Sequence, residues 1–526
     1  MSAPVLEIDQ LSLEIGGRKI LRGVSVTVAP GEIVALVGES GSGKSMTLLA
    51  TLGLAPAAAK ISGAVLFKGE ALLGAGERRM TALRGAGVGM VFQEPATALN
   101  PVQTLLRQVA ETVLLHRRAS RAEADALALA SLARVGLSAA QAARFPHQVS
   151  GGQRQRAAIA IATVLAPQIL LADEPTTALD VTTQAQIMQL LQKQVREAQT
   201  GLLLVTHDLG LVASVADRIA IMKEGEIVEQ GSSPDLLRGL QHSYSQDLLR
   251  ASLVAPRAAR RAAGAPLLEV RDVRVSYALK SGRTVRAIDG VSFALPEGES
   301  LAIVGESGSG KSSLARAILG LEKIAGCAVH LGGVSAAHLK GPAARAYRRQ
   351  VQIVLQDPFG SFDPRWRVED IVAEPFHVLD DKPSAAERRV GAAKALGEVG
   401  LASDALRRFP HEFSGGQRQR IAIARALITA PKLVVLDEAL SALDVSTRAN
   451  ILALLAELQA KRGLSYLFIT HDLAVVPAIA DRVLVLKAGK IVEQGDVPRI
   501  FAAPEHAYTK ALLEATPRLD AILARS

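Results

Sequence analysis

The stretch Gly38-Glu39-Ser40-Gly41-Ser42-Gly43-Lys44-Ser45 decides the fold, and it returns unchanged 267 residues later as Gly305-Glu306-Ser307-Gly308-Ser309-Gly310-Lys311-Ser312. Each copy follows a short apolar run, 33–37 or 301–304, that suits a buried strand, and each opens a helical stretch. Strand, glycine-rich turn with Lys-Ser, then helix is the context in which backbone N–H groups close around phosphate oxygens. The helix N-terminus adds positive potential at the same place. Lys44 and Lys311 are expected to reach the β- and γ-phosphates of a nucleotide, and the Ser45 and Ser312 hydroxyls to ligate Mg²⁺. The nucleotide-binding set is then Gly38, Ser40, Gly41, Gly43, Lys44, Ser45 and Met46 in the first copy. In the second it is Gly305, Ser307, Gly308, Gly310, Lys311, Ser312 and Ser313.

The repetition extends beyond this loop. Ser150-Gly151-Gly152-Gln153-Arg154-Gln155-Arg156 returns 264 residues later from Ser414. Asp173-Glu174 returns as Asp437-Glu438, and Thr206-His207-Asp208 as Thr470-His471-Asp472, at the same offset. His242-Ser243-Tyr244-Ser245 has a cousin in His506-Ala507-Tyr508-Thr509. Matches in one order at one spacing mean a duplicated domain, and the period is far too long for a solenoid. The expected halves are residues 1–251 and 267–526. Between them, 252–266 is Ala/Pro-rich, carries no strand pattern and reads as a short linker. Further apolar runs at 202–205 and 466–469, with helical stretches at 182–199 and 446–461, give the alternation of an α/β core.

At 526 residues the chain exceeds one ordinary core, and 49% hydrophobic with 21% charged residues is a globular composition. Aromatic residues make up 3%, which speaks against base-stacking platforms. The net charge of +9 reads as basic residues dispersed over the surface, so no nucleic-acid partner is expected. Cys327 is the only cysteine, which excludes a disulfide framework and a Cys-rich metal site. The first seven residues lack the pattern of a signal peptide, and no run reaches the 18 apolar residues or so of a membrane helix. A cytoplasmic location is the expectation, with any membrane part of the process on another chain.

Residues 169–174 and 433–438 are apolar strands that end in paired acids. Asp173 and Asp437 at such ends can hold Mg²⁺ through water, and Glu174 and Glu438 can polarise an attacking water. Ser150-Gly151-Gly152-Gln153 and Ser414-Gly415-Gly416-Gln417 precede helical stretches at 154–165 and 418–428. Such a start can bind an anion; an ordinary N-cap is the simpler account of the spacing alone.

Taken in order, these motifs resemble the nucleotide-binding domain of ABC transporters, twice over and across nearly the whole chain. The resemblance implies an α/β fold of two tandem P-loop domains. Each would have a RecA-like core, an antiparallel β subdomain and an α-helical signature subdomain. It assigns Gln93 and Gln356 to the loop that touches Mg²⁺ and senses the membrane partner. Asp180 and Asp444, in Thr177-Ala178-Leu179-Asp180 and Ser441-Ala442-Leu443-Asp444, become the D-loops, and His207 and His471 the contacts to the γ-phosphate. In this family two domains pack head to tail around ATP. Lys44 would therefore share its ATP with Ser414, Gly415, Gly416 and Gln417, and Lys311 with Ser150, Gly151, Gly152 and Gln153.

Phe92-Gln93-Glu94-Pro95, Leu355-Gln356-Asp357-Pro358 and the two His-x-Tyr tails look like the peptide and nickel importer branch. Fused pairs there resemble ATPases for microcin C-type peptides and for glutathione. The partners so implied are two membrane-spanning permeases and, through them, a secreted or periplasmic binding protein. The implied location is peripheral, on the cytoplasmic face of the cell membrane. Tandem translation factors carry long charged inter-domain helices, and DNA-repair relatives carry coiled coils or zinc modules; neither pattern is present here. Tandem sugar-importer ATPases typically have one degenerate half-site, whereas both halves here keep Lys, Asp, Glu and His.

Two departures stand out. Glu438 is followed by Ala439-Leu440 where Pro-Thr is usual, with little effect expected because the acids are intact. The adenine-stacking position is Tyr277 in the second half and Ile15 in the first. Loss of a ring weakens stacking, so ATP should bind more weakly to a Lys311→Ala chain, which keeps the Ile15 site, than to a Lys44→Ala chain. Equal affinities in nucleotide titration contradict this.

Overall fold

The computed structural model describes residues 3–524 apart from 178, 254–255, 258–264, 279–283, 327–328, 338 and 442. Most of the expected linker, Cys327, and the central alanines Ala178 and Ala442 of the two D-loops lie outside the described residues.

Each half holds one mostly parallel sheet. In the first, the order is Glu226–Ser232, Arg218–Lys223, Ile33–Val37, Gly201–Thr206, Ile169–Asp173, Val88–Val91, with only the first pairing antiparallel. In the second, the order is Val351–Val354, Leu433–Asp437, Ser465–Thr470, Ser300–Val304, Arg482–Lys487, Lys490–Asp496. Ile33–Val37 and Ser300–Val304 are buried at every position. That is why they read as unbroken apolar runs: a parallel sheet is covered on both faces.

Side chains alternate across the sheet. In the first half Leu171, Leu203 and Val205 face an antiparallel sheet with strands Arg18–Val28, Leu6–Ile15, Lys60–Phe67 and Glu70–Ala71. Leu170, Leu202 and Leu204 face the helices Leu105–His116, Arg121–Arg134 and Gly151–Thr163. The second half repeats this plan, with its antiparallel sheet built on Pro266–Ala278 and Thr284–Pro296. That first strand starts at Pro266, one residue inside the expected linker, because proline is tolerated as the first residue of a strand.

The helices after the Ser-Gly-Gly-Gln motifs start earlier than their hydrophobic pattern suggests, at Gly151 and Gly415 rather than Arg154 and Arg418. Ser150 and Ser414 cap them. Gln153 N–H donates to Ser150 Oγ at 3.3 Å, and Ser150 N–H donates back to Gln153 Oε1 at 3.1 Å. This is a capping box, repeated at Ser414 and Gln417. The second glycine of each motif lies against the next helix of its own half. A Cβ at Gly152 would stand 2.4 Å from Thr183 Cγ2, and one at Gly416 2.4 Å from Thr447 Cγ2.

The halves meet through the starts of the helices Val181–Ala198 and Val445–Arg462. Val445 joins an apolar cluster of the first half with Val37, Leu209, Tyr244 and Leu248. Val181 joins the reciprocal cluster with Val304, Tyr508 and Leu512. The helix Ser243–Ser252 packs on Val445–Arg462, and Ala507–Ala515 packs on Val181–Ala198.

The tight contact at Gly152 carries a test. Gly152→Ala should destabilise the chain by about 1–3 kcal/mol through overpacking. Adding Thr183→Ser, which deletes the obstructing methyl, should recover most of the loss in a thermal melt. No recovery contradicts the contact.

Candidate nucleotide sites

Both P-loops are built on glycine close approaches. A Cβ at Gly38 would lie 2.1 Å from the Met222 carbonyl oxygen, and one at Gly305 2.2 Å from that of Leu486. Gly43 and Gly310 precede the helices Lys44–Thr51 and Lys311–Ile318 with φ of 104° and 108°, a left-handed conformation that glycine adopts without steric cost. Lys44 Nζ donates to the carbonyls of Gly38 at 2.8 Å and Glu39 at 2.7 Å. Lys311 Nζ donates to Gly305 at 2.7 Å and Glu306 at 2.8 Å. Burial lowers the pKa of both lysines, opposed by neighbouring carboxylates.

For Lys44 those carboxylates are Glu174, Asp173, Asp444 and Glu39; for Lys311 they are Glu438, Asp180, Asp437 and Glu306. Asp444 and Asp180 belong in each case to the opposite half. The D-loops therefore cross, and each faces the other half's P-loop. Thr182 Oγ lies 2.8 Å from Asp180 Oδ1 and 2.8 Å from Glu306 Oε1 across the boundary, and Asp180 also accepts a backbone bond from Ser307.

Ser45 Oγ donates to Asp173 Oδ1 at 3.0 Å, and the Ser312 hydroxyl lies beside the Asp437 carboxylate. Burial raises the pKa of both aspartates above the usual carboxylate range. Asp437 Oδ1 is buried without a hydrogen-bond donor among the described residues. A hydroxyl beside a carboxylate with spare acceptor capacity is an oxygen donor set that fits Mg²⁺. Among the described residues no group of three His, Cys, Asp or Glu could hold a metal.

Glu174 and Glu438 follow directly after their strands with φ of 43° and 49°. Their N–H groups still bond the adjacent strand, to Val205 at 2.9 Å and Ile469 at 2.8 Å. The positive φ turns each carboxylate off the strand line, at a cost of about 1–3 kcal/mol for a non-glycine residue. Glu174 Oε1 is 3.1 Å from His207 Nδ1, and its Oε2 accepts from Gln93 at 2.9 Å and Thr177 at 2.8 Å. Glu438 Oε1 is 3.3 Å from His471 Nδ1, and Gln356 donates to its Oε2 at 2.9 Å. Ser441, the counterpart of Thr177, donates instead to the Glu438 backbone carbonyl at 2.8 Å. Burial pushes the Glu174 carboxyl up, but His207, Thr177 and Lys44 outweigh it and hold the group at about 2. Glu438 is also held below its ordinary value against burial, by His471 and Lys311.

The structure thus gathers the P-loop, paired acids, Gln and His of one half with the D-loop of the other. It does not bring every expected residue in. Among the described residues, the Ser150 and Ser414 side chains bond only within their own capping boxes. Tyr277 is half-buried, with its hydroxyl 2.8 Å from Glu322 Oε1 and 3.3 Å from Ser313 Oγ, and Ile15 packs on the first β subdomain. Sequence reasoning assigned no role to Tyr244 and Tyr508. Their hydroxyls accept the Glu39 and Glu306 N–H groups at 3.0 Å each, which fastens each P-loop to its own C-terminal helix. The repeated His-x-Tyr signal was the available clue.

The ABC transporter family model matches residues 21–177 and 288–441, and a model of the oligopeptide/dipeptide transporter C-terminal region matches 492–525. The chain belongs to the ABC transporter family, as an ATP-binding subunit of the ABC ATPase type. The peptidoglycan transport ATP-binding protein YejF of Agrobacterium fabrum is 43% identical over 99% of this chain and 97% of its own. The glutathione import ATP-binding protein GsiA of Salmonella choleraesuis is 43% identical over 99% of this chain and 90% of its own. Among solved structures, a dimeric ATP-binding cassette in a post-hydrolysis state with ADP and Pi is matched over 44% of this chain and 98% of its own, at 28% identity and a TM-score of 0.40.

The two glutamates differ in their hydroxyl partners. Both have depressed pKa values, so each is ionised at neutral pH and becomes protonated only as pH falls through its folded value. Glu174 has the additional Thr177 bond. Hydrolysis by a Glu438→Gln chain, which relies on Glu174, should persist to lower pH than hydrolysis by a Glu174→Gln chain. The opposite order in pH–rate profiles contradicts the difference.

Proposed function

We propose that the chain hydrolyses ATP at two composite sites and so drives import of peptides or peptide-like compounds through a membrane permease. The supporting observation is the carboxylate–histidine pair of each half, Glu174 with His207 and Glu438 with His471, set beside a P-loop lysine that also feels the opposite D-loop aspartate. Lys44 or Lys311, with the P-loop N–H groups, binds the β- and γ-phosphates of ATP. The ionised glutamate accepts a proton from water as the water oxygen attacks the γ-phosphorus. The bond to the β-bridging oxygen breaks, and ADP and phosphate are released. His207 or His471 orients the glutamate and contacts the γ-phosphate. Mg²⁺, held by Ser45, Asp173 and Gln93 or by Ser312, Asp437 and Gln356, supplies charge neutralisation on the phosphates when bound.

In the composite arrangement, Ser150, Gly151, Gly152 and Gln153 complete the Lys311 site. Ser414, Gly415, Gly416 and Gln417 complete the Lys44 site. Asp180 and Asp444 take part as D-loop residues, and Tyr277 lies on the adenine side of the Lys311 site. Carrying both halves on one chain raises their effective concentration and fixes a 1:1 pair.

Transport of peptide-like cargo is supported by the match at 492–525 and by the peptidoglycan and glutathione transport named in the relatives. Among the described residues no helix is long and apolar enough to cross a membrane. The proposal accordingly places two permease subunits on separate chains, with this chain bound at their cytoplasmic face. An extracytoplasmic binding protein delivers the cargo.

The double variant Glu174→Gln/Glu438→Gln should retain ATP binding, lose turnover and accumulate a closed, ATP-loaded state. Steady-state hydrolysis at the parental rate overturns the general-base assignment.

A further inference from the structure

The two halves differ where the D-loop meets the histidine loop. In the second half, Arg448 Nη1 donates to Asp472 Oδ2 at 2.8 Å and Nη2 donates to the Leu443 carbonyl at 3.3 Å. Leu443 precedes the D-loop Asp444, and Asp472 follows His471. One guanidinium therefore joins the two loops, and both partners are well shielded, with side-chain exposures of 17% and 27%. Arginine suits this role because its rigid fork serves two acceptors at once.

The first half is built otherwise. The position matching Arg448 is Gln184, opposite Asp208. Among the described residues the Gln184 side chain makes no hydrogen bond, and the Asp208 carboxylate serves only as the cap of the next helix, accepting from Leu211 N–H at 3.0 Å. The first D-loop is held from outside instead, where Thr182 reaches Glu306 of the opposite P-loop at 2.8 Å. Ser446, the counterpart of Thr182, makes no such bond to Glu39 among the described residues. Among the described residues the two D-loops are thus tied differently: the first to the P-loop it faces, through Thr182–Glu306 and the Ser307 N–H bond to Asp180, the second to the histidine loop of its own half.

The D-loop that Arg448 holds faces the Lys44 site, where Val445 packs with Val37 at the end of the strand that leads into the first P-loop. We propose that Arg448 is a positioning residue for hydrolysis at the Lys44 site. It links the loop of His471, which serves the Lys311 site, to the D-loop that completes the Lys44 site. Arg448 touches neither nucleotide in this scheme; it acts through Leu443 and Asp472. Among the described residues the Lys311 site has no equivalent of the Arg448 link, and the D-loop facing it is held by the Thr182–Glu306 contact and the Ser307 bond to Asp180. The inference rests on the composite sites and glutamate bases proposed above.

The test is Arg448→Gln in the full chain, which gives the second half the residue the first half already folds with. Single-turnover hydrolysis is followed by rapid quench at ATP saturating both sites. The variant should split the reaction into two phases of equal amplitude, the slower reduced by about tenfold, within the usual range of coupling between sites. Adding Glu174→Gln should abolish the slow phase and leave the fast one. ATP affinity and melting temperature should stay at parental values, and Arg448→Lys, which can keep the single bond to Asp472, should recover part of the rate. An unchanged time course, or uniform slowing of the whole amplitude, overturns the inference while leaving the glutamate assignment intact. If Glu174→Gln/Glu438→Gln with Arg448 in place hydrolyses at the parental rate, the glutamate assignment fails and the inference falls with it.

Discussion

Val445 sits in the apolar cluster under the first P-loop strand, and Val181 sits in the one under the second. This exchange of two valines governs the rest of the arrangement. It carries Asp444 to within electrostatic reach of Lys44, and Asp180 to within reach of Lys311. It also stacks the C-terminal helix of each half on the D-loop helix of the other. Burial of a valine side chain contributes about 1.5–3 kcal/mol, and here the burial is available only while the halves stay apposed. The contact that sets Asp444 near Lys44 and Asp180 near Lys311 is therefore also a contact that holds the halves together.

Within each half the site is assembled against local preference. Glu174 and Glu438 occupy left-handed backbone positions that non-glycine residues seldom adopt. Their peptides remain paired to the neighbouring strands, so the sheet sustains the strain while the carboxylate turns toward the histidine. Gln93, Thr177 and His207 surround one carboxylate, and Gln356 and His471 the other. The first glutamate is held more firmly, and the cause is one substitution, Thr177 against Ser441, that sends a hydroxyl to a side chain in one half and to a backbone carbonyl in the other.

Much of this was legible in the chain itself. The P-loops, the paired acids and the duplication follow from residue type and spacing, because phosphate binding requires glycine, lysine and serine in a fixed order. The all-buried strands are visible as apolar runs. Other features depend on contacts far apart in sequence and leave little local trace. The helix at Gly151 starts three residues ahead of its hydrophobic pattern because glycines carry none, although Ser150 and Gln153 spell a capping box. Tyr244 reaches a P-loop 205 residues away. Arg448 and Gln184 look like interchangeable surface positions on two amphipathic helices until Asp472 and Leu443 are placed beside the arginine.

In the proposed arrangement neither half owns a site, each P-loop being completed by the other half. Photo-crosslinking with an azido-ATP analogue, followed by peptide mass spectrometry, tests it in the Ser414→Arg variant. With composite sites, the labelled peptide bearing Lys44 is lost while the one bearing Lys311 is kept. Loss of the Lys311 peptide with retention of the Lys44 peptide would contradict it.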